Sequence, residues 1–374
     1  MKIYYIANAR IPTEKAHGIQ IAKMCEALIK AGAELVLVVP RRVSDGSIKY
    51  FYNLSIDVPV IKLPIIPYCF GFIIGSFSFM ISAFLFLCIK KLTGEKFIIY
   101  TIDMDQFSFS LIPLLNIPYF VELHDAKHKG VLFSYLFRKV SGILTINNII
   151  KNKLCERFRV LREKILVAPN GISEEFFNSI KISKEDARRA LKISTDKKIA
   201  LYAGQFISWK GLEIFTEVAR ITPDIIFYLA GGTRDAFEKI TGIKNIPDNL
   251  IFGGIRPYSE MPMLMRGSDV LLVLGTKHDE YSYYHTSPMK LFEYLPVGRP
   301  IVAAGTPAVK DMVSEREVFF YEPDNAQSFA DVIRRALAEG ERATQISAAS
   351  ALAEKYTWRE RAQKVLFYLN EQLT

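Results

Sequence analysis

Residues 2–39 read KIYYIANARIPTEKAHGIQIAKMCEALIKAGAELVLVV, and their pattern sets the fold class. Lys2–Ile6 is a short apolar run, the mark of a buried strand. A polar, turn-rich stretch, Asn8–His17, follows it. Gly18 then opens a predicted helix over Ile19–Ala31. Its Ile21, Met24, Cys25, Leu28 and Ile29 recur at three- and four-residue spacing, as one buried helix face requires. After Gly32, Glu34–Val39 is mostly apolar and β-branched, as a strand covered on both faces must be. Strand, helix, strand in that order predicts an α/β fold with a mostly parallel sheet.

The pattern continues with predicted strands at Phe97–Tyr100, Tyr119–Leu123, Ile143–Ile146 and Ile165–Ala168. Ser179–Lys198 is polar, with a short helix at Lys184–Leu191, and marks a domain boundary. A second α/β series begins at Lys198–Ala203. Its further strands are Ile225–Ala230, Leu250–Phe252, Val270–Val273, Pro300–Ala303 and Phe319–Tyr321. Helices fill Asp324–Leu373, and Trp358–Leu369 is amphipathic enough to pack on a domain surface. Open parallel sheets take ligands beyond the C-terminal ends of their strands, so two such domains facing each other predict a ligand cleft.

Composition narrows the partners. Half of the 374 residues are hydrophobic, which excludes a disordered chain. Cys25, Cys69, Cys88 and Cys155 form no CxxC pair, so neither a disulfide scaffold nor a zinc knuckle is supported. Residues 1–170 hold 22 Lys/Arg against 12 Asp/Glu, a balance of +10, while the remainder is near neutral. That field suits a phosphate-rich partner: an anionic membrane surface, a pyrophosphate-bearing substrate or nucleic acid. It equally suits a solvated basic face. No zinc finger, basic recognition helix or stacking pattern on strands supports nucleic acid. The N-terminus reads as a first strand rather than a signal peptide. Ile65–Ile89 has no charged residue over 25 positions. Its length admits a buried helix, a helix lying in a membrane surface, or a span; Pro67, Gly71, Gly75 and three serines weigh against the span.

Several loops carry groups suited to a site. GQFISWKG at 204–211 follows a strand, and Lys210–Gly211 opens a helix, so backbone amides and an ammonium can hold a phosphate. It lacks the Walker spacing, and a solvent lysine beside a helix cap is the competing account. Gly231 and Gly232 permit a close ligand approach or a tight turn. In SPMKLFEYLPVGRP at 287–300, Pro288 starts a helix and Lys290 and Glu293 lie three apart. Glu293 could accept from sugar hydroxyls or form a surface pair with Lys290. HDEYSYYHT, just before it, concentrates polar and aromatic groups. In the first half, ELHD at 122–125 places His124 and Asp125 at a strand end, and His17 lies in the first strand–helix loop. The histidines show no convincing metal-ligand spacing.

Taken together, these segments resemble the retaining GT-B glycosyltransferases of family 4, the glycosyl transferases group 1. The resemblance spans AHGIQIAKMCEALIKAG at 16–32, the His124 strand end, VAPNGISEEFF at 167–177 and LYAGQFISWKG at 201–211. It continues through the Gly231–Gly232 turn, IFGGIRPYSEMPMLMRGSDVLLV at 251–273 and, most specifically, SPMKLFEYLPVGRPIVA at 287–303. It implies two Rossmann-like α/β/α domains facing across a cleft. Residues 1–180 would bind the acceptor, joined by a C-terminal helix at about 356–374 that crosses back. Residues 181–355 would bind a nucleotide-sugar donor.

The resemblance also implies roles. Lys210 would hold the donor diphosphate, beside Gly204, Gln205, Gly231 and Gly232. Glu293, matching the second Glu of the EX7E signature, would hold the ribose. Ser287, Pro288, Lys290, Leu291 and Phe292 would border the diphosphate at the helix start, and Gly18 would line it from the first domain. His124 would stand near the transferred sugar, with His17 and Asp125 on the acceptor side. Two positions depart from the family: His285 replaces the first Glu of EX7E, and Gln205 stands where many members have Arg, leaving Lys210 to carry more of the phosphate charge. The implied reaction moves a hexosyl unit from a UDP- or GDP-sugar to an acceptor hydroxyl with retention, needing no cofactor and no metal. The expected acceptor is a glycan or lipid-linked molecule at the cytoplasmic face of a membrane. A same-fold epimerase or hydrolase, or a non-catalytic binding protein, is the alternative.

Overall fold

The computed structural model describes residues 1–42, 46–103, 105, 107–191, 193, 196–338 and 340–373. The chain forms two compact units, Met1–Gly171 with Trp358–Thr374, and Ile172–Thr357.

The first unit is built on seven parallel strands: β1 (Lys2–Ile6), β2 (Glu34–Pro40), β3 (Val60–Leu63), β4 (Ile98–Ile102), β5 (Tyr119–Leu123), β6 (Gly142–Thr145) and β7 (Ile165–Val167), in the order β3-β2-β1-β4-β5-β6-β7. β1, β4 and β5 are buried almost throughout, which explains their unbroken apolar runs. The helix after β1 spans Ala16–Lys30, so His17 and Gly18 lie in its first turn, one turn earlier than the sequence places its start. A Cβ on Gly18 would sit 2.3 Å from the Tyr52 hydroxyl, so packing alone demands a glycine there. Strand β3, at the sheet edge, is absent from the sequence reading; Pro59 and Pro64 bracket only four residues, too short a run for a pattern.

Ile65–Ile89 is largely one helix, Phe72–Leu92. It is long and apolar enough to cross a membrane by length and composition. It is also the connection between β3 and β4 of a single sheet, and its Phe79, Ala83 and Leu87 enter the core beside Tyr4, Ile99 and Val121. The last helix, Trp358–Glu371, packs against Ala16–Lys30 and returns the end of the chain to this unit.

The second unit holds six parallel strands: β8 (Lys198–Ala203), β9 (Ile225–Ala230), β10 (Leu250–Gly254), β11 (Val270–Val273), β12 (Ile301–Ala304) and β13 (Phe319–Tyr321), in the order β10-β9-β8-β11-β12-β13. Apolar clusters cover both faces of this sheet. In each unit the winding reverses beside the first strand, between β1 and β4 and between β8 and β11. At such a reversal the following loops diverge and leave a crevice at the strand C-termini.

Candidate functional site

The crevice of the second unit collects the polar groups of the loops after β8 and β11. Gly204 ends β8 with its amide donating to Ala230 O at 2.8 Å. Gly231, at φ +133°, would place a Cβ 2.1 Å from the Gly204 carbonyl oxygen, so these two loops can touch only because residue 231 is a glycine. Gly232 packs in the same way on the Phe206 ring.

Lys210 sits in a tight turn, Ser208–Lys210, and its Nζ donates to the Gln205 carbonyl at 3.0 Å. Among the described residues no carboxylate pairs with it. Desolvation, with repulsion from Lys290, pushes its ammonium down to about 8. A half-buried cation facing a second cation, without a counter-charge, is an arrangement an anion would relieve.

Lys290 lies on the helix Met289–Tyr294, where its Nζ contacts Glu293 Oε2 at 2.5 Å. Glu293 Oε1 accepts from Tyr258 at 3.1 Å, and the carboxylate is almost fully buried. The Lys290–Glu293 pair is therefore a buried-end contact rather than a surface one. The Tyr258 hydroxyl is pushed well above its ordinary range, first by burial and then by Glu293. Leu291 and Phe292 point into the core, and the Leu291 amide is bonded to Pro288 O at 3.0 Å. His285 is buried in a π-helical turn, Tyr281–His285, whose Tyr281 packs edge-on against Trp209 at 5.1 Å. Ser287 is buried against Met312. Thus Gly204, Gln205, Lys210, Gly231 and Gly232 share one loop cluster. Lys290 and Glu293 join it through the Lys210–Lys290 repulsion, and His285 through Tyr281 and Trp209.

In the first unit, Glu122 of β5 is fully buried and organises its surroundings. Its Oε1 accepts from Gln20 Nε2 at 2.6 Å, Arg361 Nη2 at 2.7 Å and His124 Nε2 at 2.9 Å, and its Oε2 from Tyr100 at 2.5 Å. Burial opposes ionisation of this carboxyl, but Arg361, with His124 and Tyr100, holds it well below the usual carboxylate range. Since Nε2 of His124 donates to Glu122, the tautomer is fixed, and among the described residues nothing bonds Nδ1. Burial works against the charged imidazole of His124, yet Asp103 and Glu122 outweigh it and raise its pKa. His17, close enough to feel both Asp103 and His124, is lowered by its own burial. Asp125 is turned to Lys127 at 2.8 Å and stays outside the Glu122 network. The sequence reading gives Arg361, Asp103 and Tyr258 no role in a site; for Arg361 the hint is a carboxylate inside the otherwise apolar β5. Among the described residues no three His, Cys, Asp or Glu side chains gather as a metal site.

Residues 183–352 match the family model described as glycosyl transferases group 1. The chain has the GT-B fold and is related to that family. Over its full length it superimposes on a glycosyltransferase from Rickettsia africae, with TM-score 0.77, 15% identity and 98% of that chain covered. It covers 100% of Anabaena HepE, solved in complex with UDP and glucose, with TM-score 0.71 and 18% identity over 99% of this chain. In sequence it is 28% identical over 200 residues to the alpha-galactosylglucosyldiacylglycerol synthase of Streptococcus pneumoniae, covering 50% of this chain and 49% of that protein. The matched stretches span 49% to 63% of the first curated relatives' lengths. The family match and the sequence relatives ally the chain with glycosyltransferases.

Proposed function

We propose that this protein transfers a hexosyl unit from a nucleoside diphosphate sugar to the hydroxyl of a lipid-linked or membrane-proximal acceptor, with retention at the anomeric carbon. The observation that carries the donor reading is Lys210, a half-buried ammonium without a carboxylate partner, repelled by Lys290 at the reversal between β8 and β11. A leaving diphosphate gains charge as the glycosidic bond breaks. A preorganised cation and nearby loop amides stabilise that charge better than water does, because they need no reorganisation. Lys210 is assigned to the diphosphate, with the Gly204–Gln205 and Gly231–Gly232 loops beside it. Glu293 is assigned to the ribose hydroxyls, accepting through a carboxylate that Lys290 and Tyr258 hold in place.

His124 is assigned to the transferred sugar, with Nδ1 as its free ring nitrogen, and His17 and Asp125 to the acceptor side. In the retaining reaction the acceptor proton passes to the departing phosphate oxygen. The bond from sugar to that oxygen breaks as the bond to the acceptor oxygen forms on the same face. Relatives named for diacylglycerol glycolipid or lipopolysaccharide synthesis support the acceptor class. A place at the cytoplasmic face of a membrane, in envelope glycan or glycolipid synthesis, follows from that class.

A screen of UDP-, GDP- and ADP-sugars for binding and slow hydrolysis tests the donor half. One nucleotide should be retained, and Lys210→Ala should cut turnover by roughly a hundredfold, the worth of a charge-assisted contact in a desolvated site. Near-normal turnover in that variant would overturn the assignment.

A further inference from the structure

The helix Phe72–Leu92 is apolar all round, but only one side of it is covered. At about 3.6 residues per turn, Ser76, Phe79, Ala83 and Leu87 fall on one side, and these are buried against the sheet. Ile73, Phe77, Ile81, Leu85 and Ile89, at i+4 spacing, lie on the outer side and are 41% to 60% exposed. The stripe is about 24 Å long at the helical rise. With its flanking residues it exposes on the order of 700 Å² of apolar surface, more than the largest patch usual on a monomer.

The serines that interrupt the apolar run do not relieve it. Ser76 accepts from Asn8, Ser78 binds the Gly75 carbonyl and the Ile66 amide, and Ser82 donates to the Pro64 carbonyl. All three hydroxyls are turned to the protein, so the outer face is left without a polar group to wet it.

We infer that this face is a monotopic docking surface for an anionic lipid bilayer. Three observations select that occupant. No Asp or Glu occurs between Asp57 and Glu95, while Lys62, Lys90 and Lys91 flank the helix and residues 1–170 carry +10. That field draws the unit to an anionic leaflet. A protein partner would call for a rim of mixed polar and charged groups around the apolar centre, whereas the lysines that border this stretch offer charge of one sign. A span is excluded by topology: the helix joins β3 to β4 of one sheet and gives its inner face to that sheet's core. The helix therefore lies along the surface, with the stripe at the depth of the first acyl carbons. This deepens the acceptor reading by placing the unit where a lipid-linked hydroxyl would be found, but docking itself needs no turnover.

The test uses the whole protein and sucrose-loaded vesicles of phosphatidylcholine, alone or with one part in three phosphatidylglycerol. The protein should sediment with the anionic vesicles and far less with the neutral ones. The variant Phe77→Ser/Ile81→Ser/Leu85→Ser should lose vesicle affinity on the order of a hundredfold, roughly fivefold for each half-exposed side chain removed. Its thermal midpoint and nucleotide retention should stay those of the parent. A parent that ignores anionic vesicles, or a triple variant that binds them as well, overturns the inference. So does a parent that sediments as a dimer, fails to bind vesicles and becomes monomeric in the variant, because the occupant is then a second copy. Nucleotide binding in solution separates failure here from failure of the donor assignment.

Discussion

If Lys210 holds the donor diphosphate as proposed, its depressed ammonium should make donor affinity pH-dependent in a range where ordinary lysines are silent. With its ionisation near 8, the empty site is roughly nine-tenths charged at pH 7 and roughly one-tenth at pH 9. If only the ammonium holds the diphosphate, affinity should fall about tenfold between those values, or about 1.4 kcal/mol. A lysine at the usual value of about 10.4 would still be more than nine-tenths charged at pH 9 and would give a flat profile. Binding a diphosphate returns the ionisation upward, so association near pH 8.5 should take up protons. Titration calorimetry in two buffers of different ionisation heat reads that uptake. Lys210→Arg keeps its charge throughout and should bind with little change between pH 7 and 9. The empty protein responds in the opposite sense. The unfolded chain holds this proton more tightly, so stability should rise from about pH 8 toward the ordinary lysine range. A parent affinity constant within twofold from pH 7 to 9, or an equal fall in Lys210→Arg, would refute the reasoning.

Further outcomes follow from the geometry. Arg361→Leu strands the Glu122 carboxylate in the core and should cost about 3–5 kcal/mol in urea unfolding, with Glu122→Gln/Arg361→Leu recovering part of it. Because Glu122 is held below the usual carboxylate range, its contribution should be present at neutral pH and disappear as acid carries the solution through that lowered value. Gly231→Ala drives a Cβ into the Gly204 carbonyl at positive φ; a loss of more than about 2 kcal/mol, with weakened nucleotide retention, is expected by thermal shift and binding. His124→Gln should slow transfer while leaving nucleotide affinity unchanged. In the parent, the alkaline limb of the rate should lie above the pH at which an ordinary imidazole titrates, since Asp103 and Glu122 favour its charged form.

The periodicities of 2–39 and 198–230 were enough to read two parallel α/β series, because buried parallel strands are written as continuous apolar runs. That Lys210 and the glycines of 204 and 231–232 lie together was legible because glycine and lysine at strand ends stand out in the sequence. Glu122 was visible but mute. Its meaning depends on Arg361, 239 positions away, and no local pattern carries that pairing. Tyr258 lies inside the family-like stretch 251–273, where nothing local tells that its hydroxyl reaches Glu293. The exposed stripe of Phe72–Leu92 was equally beyond reach, since a helix apolar on every side does not announce which side the sheet will cover.

The guanidinium of Arg361 arrives late. Its partner Glu122 leaves the ribosome 239 residues earlier, and the whole of Ile172–Thr357 is translated in between. At roughly 5–20 residues per second, that interval is on the order of 10–50 s. Until Arg361 emerges, Glu122 in the first sheet has only Gln20, Tyr100 and His124 to answer it, whereas the intervening unit has every strand it needs once Phe319–Tyr321 is made. Biogenesis should therefore run out of sequence order, the middle of the polypeptide maturing before its beginning.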